Sequence, residues 1–332
     1  MRNLLRKGTL LGAAGAMAVV TACSSDSKDT ADSRPAPAPA AEEAQQEEAS
    51  VPAISEDEAL EVIANYSEGN NRVYRELDPA ILQEIEGGSL LQRSEADLER
   101  HIARSKSDRA TIEDWEYVDP QLYIPAGDGE RWWMASVGTV PDDGGLRLLT
   151  FAENPEVEGQ WLLVSAINLE AELPSIALDE HGLAQPVPAD DPGGQLLPRD
   201  AAAAYEDLWA TGGDGLGAAL ADTPGGQDIL ERRRTADPLL LARYTPNTPQ
   251  HEEVWSLRTE DGGVLTVATV AHSETLTDVR GELLTPSEVS SHYNAQPRNP
   301  IVTHHTGEAL MWLPAGDTPQ ILGARWNMID AE

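Results

Sequence analysis

The sequence predicts an α+β fold built twice in tandem, each unit a set of helices packed on a curved antiparallel sheet of about four strands. Each half opens on segments of helical period and continues into runs rich in valine, leucine, threonine and tryptophan. Each half also sets an Asp-Gly-Gly between two such runs, Asp143-Gly144-Gly145 and Asp261-Gly262-Gly263, as hairpin turns that need positive φ require. Between the halves, DEHGLAQPVPADDPGGQLLP (179–198) has the proline and glycine density of a linker. The boundaries that follow are 1–22, a leader; 23–53, a tether; 54–182, a first α+β domain; 183–198, a linker; and 199–332, a second α+β domain.

The leader begins MRNLLRKG, where Arg2, Arg6 and Lys7 are basic, and continues with twelve small or apolar residues, Thr9 to Val20. That is signal-peptide anatomy, too short for a spanning helix. The single cysteine of the chain, Cys23, follows directly. A lone cysteine makes neither an internal disulfide nor a thiolate zinc site, so its surroundings have to account for it. Val20-Thr21-Ala22-Cys23 resembles the lipobox of bacterial lipoproteins. The resemblance implies that Cys23 is acylated and becomes the new N-terminus, anchoring the protein by lipid to the extracytoplasmic face of the cell membrane.

Removing Arg2, Arg6 and Lys7 with the leader leaves 20 basic against 57 acidic residues. Such a surface repels phosphate polymers, which argues against nucleic acid as a partner, and it confines membrane contact to the lipid. Residues 23–53 hold a Pro-Ala repeat and many carboxylates with no apolar period, the composition of a disordered acidic tether. Its reach is at least about 30 Å for thirty residues.

In the first domain Ser55 is placed to cap a helix with Glu58 three residues on, and Ala59, Leu60, Ile63 and Ala64 recur at helical spacing. A second helix follows Asp78-Pro79 and stops at Gly87-Gly88, and a third runs through SEADLERHIARS. Strand-like runs then follow as far as EGQWLLVSAINL. The second domain repeats the order: PRDAAAAYEDLWA and GQDILERRRTADPLLLARY read as helical, then EVWSLRTEDGGVLTVATVAHSETLT and MWLPAGDTPQILGARWNMI as strands. Pro125-Ala126-Gly127-Asp128 and Pro314-Ala315-Gly316-Asp317 also match, but in the opposite order to the Asp-Gly-Gly pair.

This arrangement resembles the cystatin-like, NTF2-like cone fold in tandem. With the lipobox, the segments YSEGNNRVYRELD (Tyr66 to Asp78), LPSIALDEHGLAQPV and LRTEDGGVL resemble an uncharacterised family of actinobacterial lipoproteins. The resemblance implies fold and location and carries no activity.

Motifs for chemistry are sparse. The chain has no Gly-Lys dipeptide and hence no P-loop, and neither His-Glu-x-x-His nor Gly-x-Ser-x-Gly occurs. The Ser25-to-Lys28 spacing of penicillin-binding enzymes falls in the tether, where nothing preorganises it. No catalytic residue, metal ligand set or cofactor is assigned. Two readings remain. In the first, the protein binds an envelope protein, a peptide or an apolar small molecule through large amphipathic rings, Tyr117, Tyr123, Trp132 and Trp133. Adjacent Trp132 and Trp133 must face opposite sides of a strand, so one is expected to point away from the core. In the second, an NTF2-like enzyme uses a cone pocket with a His/carboxylate dyad drawn from His272, His292, His304 and His305, near Glu274 and Glu308. VTHHTGE is read as a polar loop leading into a strand.

Overall fold

A computed structural model describes residues 51–104, 113–127, 129–141, 145–192, 194–234 and 237–332. Cys23, the leader, the tether as far as residue 50, and Asp143-Gly144 lie outside the described residues.

Three helices open the first half: α1 (Glu56–Glu76), α2 (Pro79–Ile85) and α3 (Gly88–Ala103). The first starts at the expected capping box, with Ser55 and Glu58 each satisfying a backbone N–H of the other. The second starts with Asp78 accepting from the Ala80 amide at 2.9 Å and Pro79 in the first turn, where its missing N–H costs nothing. The third begins six residues before SEADLERHIARS, at Gly88. Next come β1 (Glu116–Tyr123), β2 (Trp132–Val140), β3 (Arg147–Glu153) and β4 (Trp161–Asn168), an antiparallel meander in sequence order. The outer edge of β4 is closed by the α2–α3 junction, where the Gly87 amide donates to the Leu163 carbonyl at 3.0 Å.

The second half holds α4 (Ala201–Ala210), α5 (Pro224–Arg232), β5 (Leu240–Pro246), β6 (Val254–Arg258), β7 (Val264–Asp278), α6 (Glu288–Tyr293), β8 (Ile301–Leu313) and β9 (Gln320–Ala331). The helical reading of GQDILERRRTADPLLLARY is correct only for its first part. Beyond Pro238 the chain is a strand, β5, paired with β7 from Leu240–Asp278 to Pro246–His272. The second sheet therefore has five strands in the order β5-β7-β8-β9, with β6 also on β7. Asp261-Gly262-Gly263 forms the β6–β7 hairpin as expected, Gly262 at φ 82°. VTHHTGE is not a loop: it lies inside β8, paired residue by residue with β7.

Both sheets are open, and neither curls into a cone, so the expected cystatin/NTF2-like architecture is not formed. The reason is burial on both faces. On β2, Trp133, Ala135 and Val137 face the cluster under α1, whereas Trp132 and Met134 face the other sheet. On β7, Leu265 and Val267 face the first sheet, while Val264, Ala268 and Val270 pack beneath α4 with Leu208 and Trp209. The result is four layers, helices, sheet, sheet, helices, with one core shared by the halves. A cone needs a concave face free of a partner sheet, and here each inner face fills the other.

Two further features tie the halves together. The segment 183–198 is hydrogen-bonded along its course: Ala184 N donates to Ile124 O (2.9 Å), Val187 N to Ser256 O (2.9 Å), and Arg258 N to Gln185 O (2.8 Å). It thus straps the start of the first sheet to β6. At the other side α3 reaches β8, where Arg93 Nη2 meets Glu308 Oε2 at 2.7 Å and the Ser89 hydroxyl donates to Glu308 Oε1; Arg93 and Glu308 are 3% and 2% exposed. Glu86, also buried, accepts from the Tyr66 hydroxyl at 2.7 Å. Burial pushes its carboxyl up to about 7, against the pull of hydrogen bonds from Ser94 and Tyr66.

Candidate functional site

Of the four rings expected to reach a partner, none stands free. Trp133 is fully buried and stacks on Phe151 with centroids 4.4 Å apart. Trp132 obeys the expected alternation but points into the second sheet, tilted against Trp255 at 5.4 Å and 8% exposed. Tyr123 is buried in the same shared core. Tyr117 is half-buried, stacked on Tyr66 at 6.0 Å, with the Arg147 guanidinium 6.0 Å from its ring; burial pushes its hydroxyl up to about 12. The outward tryptophan is absent because both faces of the first sheet are covered.

The four histidines divide. His272 and His305 are register partners on β7 and β8, their rings 5.2 Å apart on the face beneath α4. His304 sits on the opposite face, with Nδ1 2.9 Å from the Ser273 hydroxyl and Nε2 3.1 Å from Glu332. His292 is on α6, against Tyr293. A buried carboxylate–histidine pair does exist, with a partner not singled out from the sequence. Glu206 of α4 contacts His272 Nδ1 at 3.2 Å, at side-chain exposures of 5% and 1%. The pair is enclosed by Trp209, Tyr244 and Trp326, and His272 Nε2 has no hydrogen-bond partner. Burial raises the Glu206 carboxyl and, with the His272 charge, lowers His305 to about 3, so His305 is neutral across the ordinary pH range. Trp326 lies across Gly307, where a Cβ would fall 2.4 Å from the Trp326 Cα, so only glycine fits.

The larger concavities among the described residues lie at one end of the seam between the sheets. Two cavities of about 690 and 710 Å³ meet there and share Glu130, Glu253 and Trp255. Each falls in the size range of small-ligand sites. One runs between α4 and the loop after β5, lined by Ala202, Ala203, Glu206, Asn247 and Glu252. The other runs along the first sheet, lined by Gly87, Gly88, Arg131, Glu153, Glu158 and Leu162. Trp255, at the start of β6, is the apolar wall common to both and is backed by Trp132.

Glu253 is the central polar group. It is partly buried, and burial, followed by the charges of Glu130 and Glu308, pushes its carboxyl up to about 7. Its Oε2 lies over the Cα side of Gly88, where a Cβ would stand 2.6 Å away; Gly88 has φ 58°. Glycine is required at this position twice over, for the left-handed backbone and for room beside the carboxylate. Of the nearby guanidinium groups, Arg131 is held by other residues and Arg199 is mostly exposed. Arg131 binds Glu153 at 2.7 Å and the Ala53 carbonyl at 2.6 Å, and Arg199 lies 4.0 Å from Asp200. Among the described residues no group of three or more histidine, cysteine or carboxylate side chains is arranged to hold a metal ion.

Neither Trp255 nor Glu253 was singled out from the sequence. The signal was present: a glutamate two places before a strand tryptophan puts both side chains on one face. Which face lay open depended on how the second sheet packs.

Comparison with known proteins adds a family. The family described as "Domain of unknown function (DUF8094)" matches residues 50–332. An uncharacterized lipoprotein of Streptomyces coelicolor is 30% identical over 279 residues, 80% of this chain and 76% of that protein. An uncharacterized lipoprotein of Streptomyces avermitilis is 25% identical over 242 residues, 72% of each chain. A second S. coelicolor lipoprotein is 25% identical over 236 residues, 70% of each. No solved structure matches. The expected kinship with actinobacterial lipoproteins is therefore borne out.

Proposed function

The chain belongs to the DUF8094 family, and from that premise we propose that it is a lipid-anchored binding protein of the cell envelope, held by acyl chains on Cys23 and taking its ligand in the cleft at Trp255. Support for the anchor comes from the lipobox, the basic n-region and the lipoprotein relatives. The observation that carries the binding role is the cleft itself: a preformed concavity with an aromatic wall and a central carboxylate, Glu253, that no described cation contacts. His251 lines one arm of it, and among the described residues it forms no pair with a carboxylate. Glu206 borders the cleft, but its histidine partner lies behind it, with Nδ1 engaged and Nε2 buried among rings. General-base chemistry needs that nitrogen within reach of a substrate proton.

Metabolic labelling with a fatty-acid probe is expected to mark the wild type and leave Cys23→Ala unmarked; equal labelling of both sinks the anchor. For the cleft, a photo-crosslinking residue in place of exposed Glu252 on its rim is expected to give discrete adducts in intact cells, and the same residue in place of exposed Glu61 on α1 none. Adducts from position 61 alone, or from both alike, remove the cleft as the binding site.

A further inference from the structure

Charge and apolar surface alternate along the cleft, and carboxylates outnumber its basic side chains, Arg131, Arg199 and His251. At the junction of the two cavities stand Glu130 and Glu253; Glu206 and Glu252 border one arm, and Glu153 and Glu158 border the other. Arg131 and Arg199 are the guanidinium groups among them, and neither contacts Glu253. Glu206 is 4% exposed, and its Oε2 takes no hydrogen bond. A carboxylate held in a partly desolvated site beside another carboxylate is destabilised as an anion, and a cation arriving there removes the cost while gaining an interaction that water screens weakly. The carboxylates are strung along the cleft instead of converging on one point, which suits spaced organic cations better than a metal ion. Between them, Trp255, Ala202, Ala271, Leu162 and Val164 offer apolar surface for the stems of long basic side chains.

We propose that the cleft is a receptor site for an extended basic peptide, with one guanidinium or ammonium group seated against Glu253 and Glu130, its stem along Trp255, and flanking cations in the two arms. The inference rests on the binding reading above and names the ligand class. Arginine suits the central position better than lysine, because its planar head binds a carboxylate in two places and stacks on an indole.

The test uses the soluble full chain after the leader, with 5-fluorotryptophan incorporated and the Trp255 resonance assigned through Trp255→Phe. The probes are an acetylated, amidated Arg-Gly-Arg-Gly-Arg peptide and its citrulline counterpart, which keeps the shape and loses the charge. The arginine peptide is expected to shift the Trp255 fluorine resonance and to bind about tenfold or more tighter than the citrulline peptide. Glu253→Gln is expected to weaken the arginine peptide by about tenfold while Glu61→Gln leaves it unchanged. Loss of affinity in Glu253→Gln is not unfolding, since removing that charge is expected to hold or raise the melting temperature. Equal weakening by the two substitutions would mean diffuse attraction to an acidic surface and overturn the proposal. Equal binding of both peptides with the Trp255 shift retained would overturn the cationic ligand and leave the binding cleft standing. Absence of a Trp255 shift with either peptide overturns the peptide site. Cleft adducts from position 252 would then still uphold the binding reading, and their absence would remove it as well.

Discussion

Two glutamates of the second half meet consecutive residues of α3 and fare oppositely. Glu308, on β8, accepts from the Ser89 hydroxyl and from Arg93, and is sealed from water. Glu253, just before β6, lies against Gly88 with another carboxylate, Glu130, bearing on it. One helix start therefore serves two purposes. Where the seam between the sheets is closed, the charge is neutralised within the chain and fastens the halves. Where the seam opens, the charge is left for something outside. The difference follows from packing. Arg93 lies five residues into α3 beyond Gly88, over the sheet, and cannot also reach back to the cleft.

The largest effect should come from breaking the closed side. Arg93→Met strands Glu308 as a buried charge, and we expect a loss of about 3 to 5 kcal/mol in urea unfolding. Arg93→Met with Glu308→Met should recover most of it, since a well-packed apolar pair replaces a buried ion pair at little cost. If the single substitution costs nothing, Glu308 has another source of compensation and the contrast with Glu253 collapses.

An effect on the order of 1 kcal/mol, and of opposite sign, is expected on the open side. A carboxyl whose folded-state pKa is raised is disfavoured as the anion in the fold. Its cost is absent below the ordinary carboxylate range, grows as pH rises towards about 7, and stays constant above that. Glu253→Gln should therefore be more stable than wild type at about pH 8 and equal to it at about pH 4, measured by thermal unfolding at low salt. Glu86 follows the same sign, so the wild type as a whole should lose some stability over this interval. A variant less stable than wild type at the higher pH would mean that Glu253 has a stabilising partner.

The smallest effect concerns the segment 183–198. We propose it as the boundary between halves that share one core. A protease site engineered between Asp190 and Asp191 should then give a nicked protein whose halves still elute together at neutral pH, with a melting temperature lowered by about a few degrees. Separation of the fragments on cutting would deny the shared core.

Much of the first half was legible in the sequence because its signals are local. The Ser55–Glu58 box and the Asp78-Pro79 start, and in the second half the Asp261-Gly262-Gly263 hairpin, depend on residues within a turn of one another, and each behaves as its chemistry predicts. What escaped was non-local. LLARY follows a helix and has no strict alternation, and only the long β7 turns it into a strand. The apolar runs WWMASV and VLTVATVA read as strands from the sequence, with one tryptophan of the first expected to point away from the core. Runs without alternation are the mark of sheets buried on both faces, and that mark alone argued against a cone. The Glu206–His272 pair joins α4 to β7 across 66 positions, and no spacing in the sequence announces it.

Arg131 carries one more consequence. Its guanidinium grips the carbonyl of Ala53, where the described chain enters the fold, while the same side chain lines the cleft and pairs with Glu153. If the protein is moored through Cys23, a pull on the mooring meets the described fold over Val51 to Ala53, where the Gly127 amide donates to the Val51 carbonyl and Arg131 holds that of Ala53. One wall of the cleft therefore shares a side chain with the segment by which the described chain enters the fold.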